Sequence, residues 1–268
     1  MAKSKQNSLL WRISKPDLPY VSYVFGTMHV KDKQVFRDID FVEKTILECQ
    51  SFAAEFNLDD LDQPLLDQYL TMEGLRLSQL LKPKYYAKLE KIVLEGTGIQ
   101  LRFLDNKTPF FIISILTESL FQSEMPEALD RYLHEFAKTN EKQILGIEKF
   151  SEQIEVLKRL KLKIQLKSLI SIIKNYKNFK RQHFKAAELY LKQDIKALYQ
   201  SVKKSAKGTR KILIFDRNKV MADRIADFAA TQSIFCAIGA GHLSGEKGVL
   251  RLLKQKGYKI RPIKIVAK

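Results

Sequence analysis

Cysteine is nearly absent from this sequence, which contains only Cys49 and Cys236 in 268 residues. Both lie among apolar residues, so they are typical of small buried side chains rather than of a disulfide pair. A zinc site built from cysteines is excluded by the count. The sequence also lacks an apolar run long enough to cross a membrane and a recognisable signal peptide. We therefore expect a cytoplasmic protein, or a secreted or periplasmic one from which a signal has been removed.

Several common catalytic motifs are missing as well. The sequence has no His-Glu-x-x-His, no phosphate-binding P-loop and no Gly-x-Gly-x-x-Gly. Standard zinc peptidases, phosphate-loop enzymes and dinucleotide-binding folds therefore have no support. Histidine itself occurs only four times, at His29, His134, His183 and His242.

Two of these four histidines share one local pattern at opposite ends of the chain. In each case a short apolar run is followed by Gly-x-x-His, first at Gly26 to His29 and again at Gly239 to His242. An apolar run bounded by glycine is typical of a buried strand, and glycine permits a sharp turn. Each histidine would then follow the carboxyl end of its strand, where open α/β sheets bind ligands. Two capping or core histidines are the alternative interpretation.

Predicted strands and helices alternate along the chain, which favours an α/β fold with a mixed, largely parallel sheet flanked by helices. We expect strands over residues 9–13, 20–25, 51–56, 143–147, 233–238 and 258–266. We expect helices over residues 38–49, 61–69, 85–95, 108–120, 126–137, 150–204, 217–228 and 245–256. A single domain would span residues 1–268, with a helical cap subregion at residues 150–210.

Four polar side chains come at the ends of these predicted strands: His29, Glu55, Glu148 and His242. Right-handed crossovers bring the carboxyl ends of parallel strands to one edge of a sheet, so the four should converge. Imidazole and carboxylate are the usual ligands of zinc, manganese or cobalt when no thiolate is present. Two histidines and one glutamate leave a coordination position open for water. Carboxylates that cap helices in solvent are the alternative.

The helix predicted after Asp216 begins with two polar residues, Arg217 and Asn218. A guanidinium group keeps its charge at any working pH, so Arg217 could stabilise an oxyanion. A surface ion pair is the alternative for a lone arginine.

The positive charge of the protein is concentrated in one segment. The net charge of the chain is +17, and residues 156–211 alone carry 17 Lys and Arg against Glu188 and Asp194. Such a segment could bind an anionic membrane surface, nucleic acid or an acidic substrate. No zinc-finger, RNP or helix-turn-helix signature favours nucleic acid. We interpret the segment as a solvated helical cap over the carboxyl edge of the sheet, with an anionic membrane surface as the alternative partner.

Several stretches that run from one end of the chain to the other match a known family in order. They are residues 10–13, 23–29, 54–55, 107–110, 146–148, 217–221, 239–245 and 257–258, together with Asp130, Ala137 and Gln153. These stretches together resemble the TraB/GumN family, which includes the PrgY pheromone-shutdown proteins and the animal TIKI proteases. The resemblance covers nearly the whole chain, and its most specific part is the closing Gly-Ala-Gly-His-Leu. It implies a fold similar to that of erythromycin esterases and ChaN haem-binding proteins, and the activity of a divalent-metal-dependent protease.

These observations lead to one main functional hypothesis and two alternatives. The main hypothesis is a metal-dependent hydrolase that acts on a peptide or amide. The first alternative is an esterase without metal that uses His29 as general base. The second is a non-catalytic protein that binds a peptide or haem. In the main hypothesis the residues have the following roles: His29, Glu55 and His242 hold the metal, Glu148 acts as general base or orients a ligand, Arg217 steadies an oxyanion, and Asn218 positions the substrate.

Overall fold

The computed structural model describes residues 7–121, 124–206 and 208–265. These residues form two compact units. Unit 1 consists of the described residues of Met1–Asp60, Ser123–Phe150 and Ala186–Lys268, and unit 2 of those of Leu61–Gln122 and Ser151–Lys185. No helix in the described ranges combines the length and the apolar character needed to cross a membrane.

Unit 1 is built on a six-stranded mixed sheet. Its strands are β1 (Leu10–Ser14), β2 (Val21–Thr27), β3 (Ser51–Phe56), β4 (Gln143–Glu148), β5 (Ile234–Gly239) and β6 (Lys259–Ile263). They lie in the order β4-β3-β5-β2-β1-β6. The first four in this order pair in parallel, whereas β1 pairs antiparallel with both β2 and β6. The predicted α/β fold with a mixed, largely parallel sheet is confirmed. Val266, the predicted end of the last strand, lies outside the described residues.

The described residues also form twelve α-helices. In chain order these are α1 (Ile39–Leu47), α2 (Gln63–Leu70), α3 (Leu77–Leu80), α4 (Pro83–Thr97), α5 (Pro109–Glu118), α6 (Leu129–Thr139), α7 (Phe150–Arg159), α8 (Leu162–Lys174), α9 (Tyr176–Leu191), α10 (Ile195–Ser205), α11 (Asp216–Thr231) and α12 (Val249–Gln255).

Strand β5 lies at the centre of the parallel part of the sheet, and its residues Ile234–Ile238 are all buried. Successive side chains of a strand point to opposite faces, so burial of five in a row requires cover on both faces. Helices α1, α6 and α11 pack against β5. The continuous apolar run, without polar alternation, is therefore the sequence signature of this central strand.

The described residues of unit 2 form helices joined by loops, with one isolated β-bridge between Thr71 and Lys107. Its core is formed by side chains from α4, α5 and α8, among them Leu89, Ile112, Leu116 and Leu169, none of which is exposed to solvent. Pro83 and Pro109 occupy the first turns of α4 and α5, where the missing proline N–H costs no helical hydrogen bond.

The helix predicted over residues 150–204 is divided into α7, α8, α9 and α10. One break follows Leu191, where Gln193 has a φ of 54° and Asp194 accepts a hydrogen bond from the N–H of Ala197 at 3.1 Å. This is an N-cap, which starts a new helix without proline or glycine. The predicted cap at residues 150–210 is shared between the two units, and its role as a cap stays a prediction.

Candidate functional site

The four polar residues predicted at strand ends all lie at one edge of the sheet of unit 1. Strands β4, β3, β5 and β2 are parallel neighbours, so their carboxyl ends form a single edge, which we call the carboxyl rim. Glu148 is the last residue of β4, and Glu55 is the penultimate residue of β3. His242 ends the short 3₁₀ turn after β5, and His29 lies two residues beyond β2.

The glycines of the two Gly-x-x-His stretches provide space rather than an unusual backbone conformation. Neither has a positive φ, which corrects the expectation that glycine is needed there for a sharp turn. A Cβ on Gly239 would lie 3.0 Å from Oε1 of Glu55 and 3.5 Å from the ring of His242. A Cβ on Gly26 would lie 2.6 Å from the side chain of Leu243. The absence of a side chain therefore allows the rim residues to approach the strand ends closely.

Arg217, in the first turn of α11, joins the two rim carboxylates. Its Nη2 donates to Oε2 of Glu55 at 2.6 Å and to Oε2 of Glu148 at 2.5 Å. Its Nε lies 3.0 Å from both oxygens of Glu148. The side chains of Glu148 and Arg217 are only 3% and 16% exposed. Arg217 points into the rim, where its charge holds together the buried carboxylate of Glu148 and the half-buried carboxylate of Glu55.

Glu55 is held in its ionised form. Burial by itself would raise the pKa of this carboxyl group. The charge of Arg217, the neighbouring His242 and the N–H of Gly239 outweigh that effect and lower the pKa to about 2. The Gly239 N–H donates to Oε1 of Glu55 at 2.7 Å. Glu55 and Glu148 together raise the pKa of Arg217 although its burial opposes the shift.

His242 is kept neutral and is fixed in orientation. Its Nδ1 lies 2.5 Å from Oδ1 of Asn218, whose Nδ2 donates to the carbonyl oxygen of Lys247 at 2.6 Å. Since the Asn218 amide nitrogen is engaged by a carbonyl, its oxygen faces the ring, and Nδ1 of His242 is the nitrogen that carries the proton. Burial lowers the pKa of His242 to about 4 although Glu55 opposes the shift. Nε2 is therefore unprotonated at neutral pH, and it lies 3.9 Å from Oε1 of Glu55.

His29 is placed differently, in the open part of the rim. Its side chain is 70% exposed. Its Nδ1 lies 2.9 Å from both carboxylate oxygens of Asp130, in the first turn of α6. This contact orients the ring and favours the tautomer with its proton on Nδ1. The described contacts therefore link His29 to Asp130, and they link His242 to Asn218.

The donor chemistry of the rim fits a divalent metal. Metal-bound histidines usually donate their second ring N–H to a carboxylate or carbonyl oxygen, as both rim histidines do here. Glu55 and the Nε2 of His242 face each other in the protonation states that ligands require. Among the described residues, however, no group of three His, Cys, Asp or Glu side chains is arranged to hold a metal ion. The pair Glu55–His242 is in place, and the set that adds His29 stays a prediction.

Two residues of the rim differ from the sequence prediction: Asp130 was not predicted as a site residue, and Asn218 was predicted in another role. Asp130 entered the sequence analysis only as part of the family resemblance. A carboxylate in the first turn of a helix is a common sequence feature, so it gave no sign of a site residue. Asn218 was predicted to position substrate, whereas its buried side chain orients His242. The contacts that give these residues their place join positions 101 and 24 residues apart. The substrate role of Asn218 stays a prediction.

The remaining histidines do not belong to the rim cluster. His134 is fully buried in α6, with its Nε2 3.2 Å from Oδ1 of Asn57. His183, in α9, has its Nδ1 3.0 Å from the carbonyl oxygen of Phe179. Its side chain is half-buried.

Comparison with known proteins identifies similar chains among animal proteins. The chain is 25% identical to metalloprotease TIKI2 of Danio rerio over 97% of its length. It is 26% identical to metalloprotease TIKI1 of Xenopus tropicalis and 25% identical to metalloprotease TIKI1 of Homo sapiens, each over 96% of its length. It spans 62% of the length of each of these relatives. No solved structure matches the chain with significance.

A comparison with family models identifies the family of the chain. The sequence profile of the TraB/PrgY/gumN family matches residues 9–262, which include all six strands to within one residue at the last one. The chain therefore belongs to the TraB/PrgY/gumN family.

Proposed function

We propose that this protein is a metal-dependent hydrolase that acts on peptide or amide bonds, with its site at the carboxyl rim. The observation that carries the proposal is the Glu55–His242 pair: an ionised carboxylate and a neutral imidazole face each other at 3.9 Å. Relatives named metalloproteases over nearly the whole chain add support.

Each rim residue has a physical task in this proposal. Glu55 and Nε2 of His242 would hold a zinc, manganese or cobalt ion, and His29 would supply a further imidazole from the neighbouring strand end. Bound there, the ion would lower the pKa of a water molecule and polarise the carbonyl group of the substrate. Asn218 fixes the tautomer and the ring plane of His242, so that its Nε2 lone pair stays directed at Glu55.

Arg217 and Glu148 keep this arrangement rigid. Arg217 donates a hydrogen bond to Oε2 of Glu55. The other carboxylate oxygen, Oε1, faces His242. Glu148 balances the guanidinium charge that burial would otherwise make costly. In this structure both residues hold other residues in place, so their predicted work as oxyanion stabiliser and general base would require these ion pairs to rearrange.

The test begins with the metal content of the protein. Protein purified without chelator should contain close to one zinc, manganese or cobalt ion per chain by elemental analysis, and it should cleave members of a mixed peptide library. Chelation should abolish cleavage, and adding the ion back should restore it. His242→Ala should lose both metal and cleavage, whereas the control His183→Ala, outside the rim, should keep both. A folded wild-type protein that cleaves peptides equally well without metal would contradict the proposal.

A second function is favoured by the His29–Asp130 pair. An exposed imidazole whose Nδ1 is held by a carboxylate has the geometry of a general base. A metal-independent esterase with His29 as that base would therefore use the open part of the rim. In that case chelation would leave ester hydrolysis unchanged, and Asp130→Asn would reduce kcat more than KM. His242→Ala would have little effect on ester hydrolysis.

A further inference from the structure

Unit 1 contains a cleft whose lining begins immediately after His242, at Leu243. This cleft has a volume of about 340 Å³. Its walls come from β1 and β6 at one edge of the sheet, from the first turn of α10, from α12 and from the loop at Leu243–Gly245. None of the rim residues discussed above lines it.

The floor of the cleft is apolar. Trp11 on β1 and Ile260 on β6 point to the same face of the sheet, since Trp11 pairs with Pro262 and Ile13 with Ile260. Leu250 of α12 and Ile195 of α10 also line the cleft. The indole N–H of Trp11 donates to the carbonyl oxygen of Ser8 at 2.8 Å, which fixes the ring in place.

The edge of the cleft carries three positively charged side chains. Lys196, Arg251 and Lys254 line it, and no Asp or Glu is among the lining residues. All three are exposed. In the part of the chain that the structure describes, none of the three takes part in an ion pair. The cleft therefore combines an apolar floor with a one-sided positive field.

We propose that this cleft is a binding site for a small carboxylate that carries an aromatic or aliphatic body. The body would lie against Trp11, Leu250 and Ile260, and the carboxylate would lie among Lys196, Arg251 and Lys254, where Arg251 can bind it in a bidentate manner. At about 340 Å³ the cleft falls within the range of about 300 to 1,000 Å³ that is typical of sites for small molecules. The proposal is independent of the hydrolase function, because no rim residue takes part in it.

The sequence supplies a reporter for this site. Trp11 is the only tryptophan in the chain, so all tryptophan emission comes from the floor of the cleft. A ligand that covers the ring should shift the emission to shorter wavelength as water leaves it. The probe is 3-phenylpropionate, which has a carboxylate, an aromatic body and a size that matches the cleft.

The experiment titrates the protein with three compounds and follows the emission of Trp11. We expect saturable binding of 3-phenylpropionate with a dissociation constant of about 1 mM. The neutral 3-phenylpropanamide should bind at least tenfold more weakly, and acetate should not shift the emission. Binding of the carboxylate should also weaken as salt is added, because the charges at the cleft are exposed.

Two double variants locate the binding. Arg251→Glu/Lys254→Glu reverses the charge of the cleft at two exposed positions and should weaken 3-phenylpropionate binding at least tenfold. Lys91→Glu/Lys167→Glu makes the same change in net charge at exposed positions of unit 2 that do not line the cleft, and it should leave binding unchanged. Circular dichroism confirms that both variants are folded.

Three results would overturn the proposal. The amide could bind as tightly as the carboxylate, the cleft variant could bind like wild type, or folded wild-type protein could show no shift at 20-fold the expected dissociation constant. Isothermal titration of 3-phenylpropionate into the wild type checks the last result by a signal that does not depend on Trp11.

Discussion

The two Gly-x-x-His stretches share a sequence pattern but hold their histidines in different ways. His242 is 12% exposed, has a carboxamide on Nδ1 and faces an ionised carboxylate. His29 is 70% exposed and has a carboxylate on Nδ1. The difference arises from the helix that packs near each histidine: α11 brings Asn218 to His242 and Arg217 to Glu55, whereas α6 brings the carboxylate of Asp130 to His29. A shared motif therefore fixes where a histidine leaves the sheet, and its long-range partners fix what it can do.

The largest effect should come from breaking the ion pairs beside His242. Arg217→Met would leave Glu148 buried without its guanidinium, and Glu55 would lose the same partner. Removal of one partner of a buried ion pair costs about 3 to 5 kcal/mol. We expect a loss of this size in the free energy of unfolding, measured by urea denaturation.

The control lies beside His29. Arg131→Met removes a partner of Glu127 in a pair whose two side chains are 62% and 37% exposed, and exposed pairs contribute about 1 kcal/mol or less. If Arg217→Met were as stable as Arg131→Met and lost only turnover, Arg217 would act as the oxyanion stabiliser that the sequence suggested.

A smaller effect should appear when pH is lowered. The pKa of His242 is lowered to about 4 in the folded protein, whereas an unfolded histidine has a pKa of about 6.5. Between these values the unfolded chain binds a proton that the folded chain does not, so acid favours unfolding. In the metal-free protein, the contribution of neutral His242 to the free energy of unfolding should be fully present above pH 6.5. As the pH falls toward 4, the free energy of unfolding should decrease by up to about 3 kcal/mol.

The variant His242→Gln tests the origin of this pH dependence. It should flatten the decline between pH 6.5 and pH 4 in denaturant titrations carried out with chelator present. A further loss of stability below pH 4.5 should persist in the variant. The pKa of Glu55 is lowered to about 2 in the folded protein, so its stabilising charge is lost only as the pH falls from 4.5 toward 2. An unchanged slope in His242→Gln would mean that another group causes the decline.

The sheet and its rim could be predicted because the evidence for them is local. Apolar runs at residues 51–56 and 233–238 correspond to β3 and β5 almost residue for residue. Glu55, Glu148 and His242 follow from their places at the ends of such runs. The pairing of Arg217 with two glutamates could not be predicted, because its partners lie 162 and 69 residues away. The break before α10 also escaped prediction, since it is made by Gln193, whose φ is 54°, and by Asp194, which caps α10, without proline or glycine.

The smallest of the three effects should distinguish the two histidines as metal ligands. Substitution of the residue that orients a metal-bound histidine usually weakens metal affinity 10- to 100-fold. Asn218→Ala should cause such a loss through His242, and Asp130→Ala should do so only if His29 is also a ligand. Titration calorimetry with zinc and manganese measures both affinities, with Glu127→Ala near α6 as the control. A loss in Asn218→Ala alone would assign the metal to the Glu55–His242 pair and leave His29 with Asp130 as a separate base. Equal losses in both would unite the two stretches in one metal site, and no loss in either would remove His242 from the ligands.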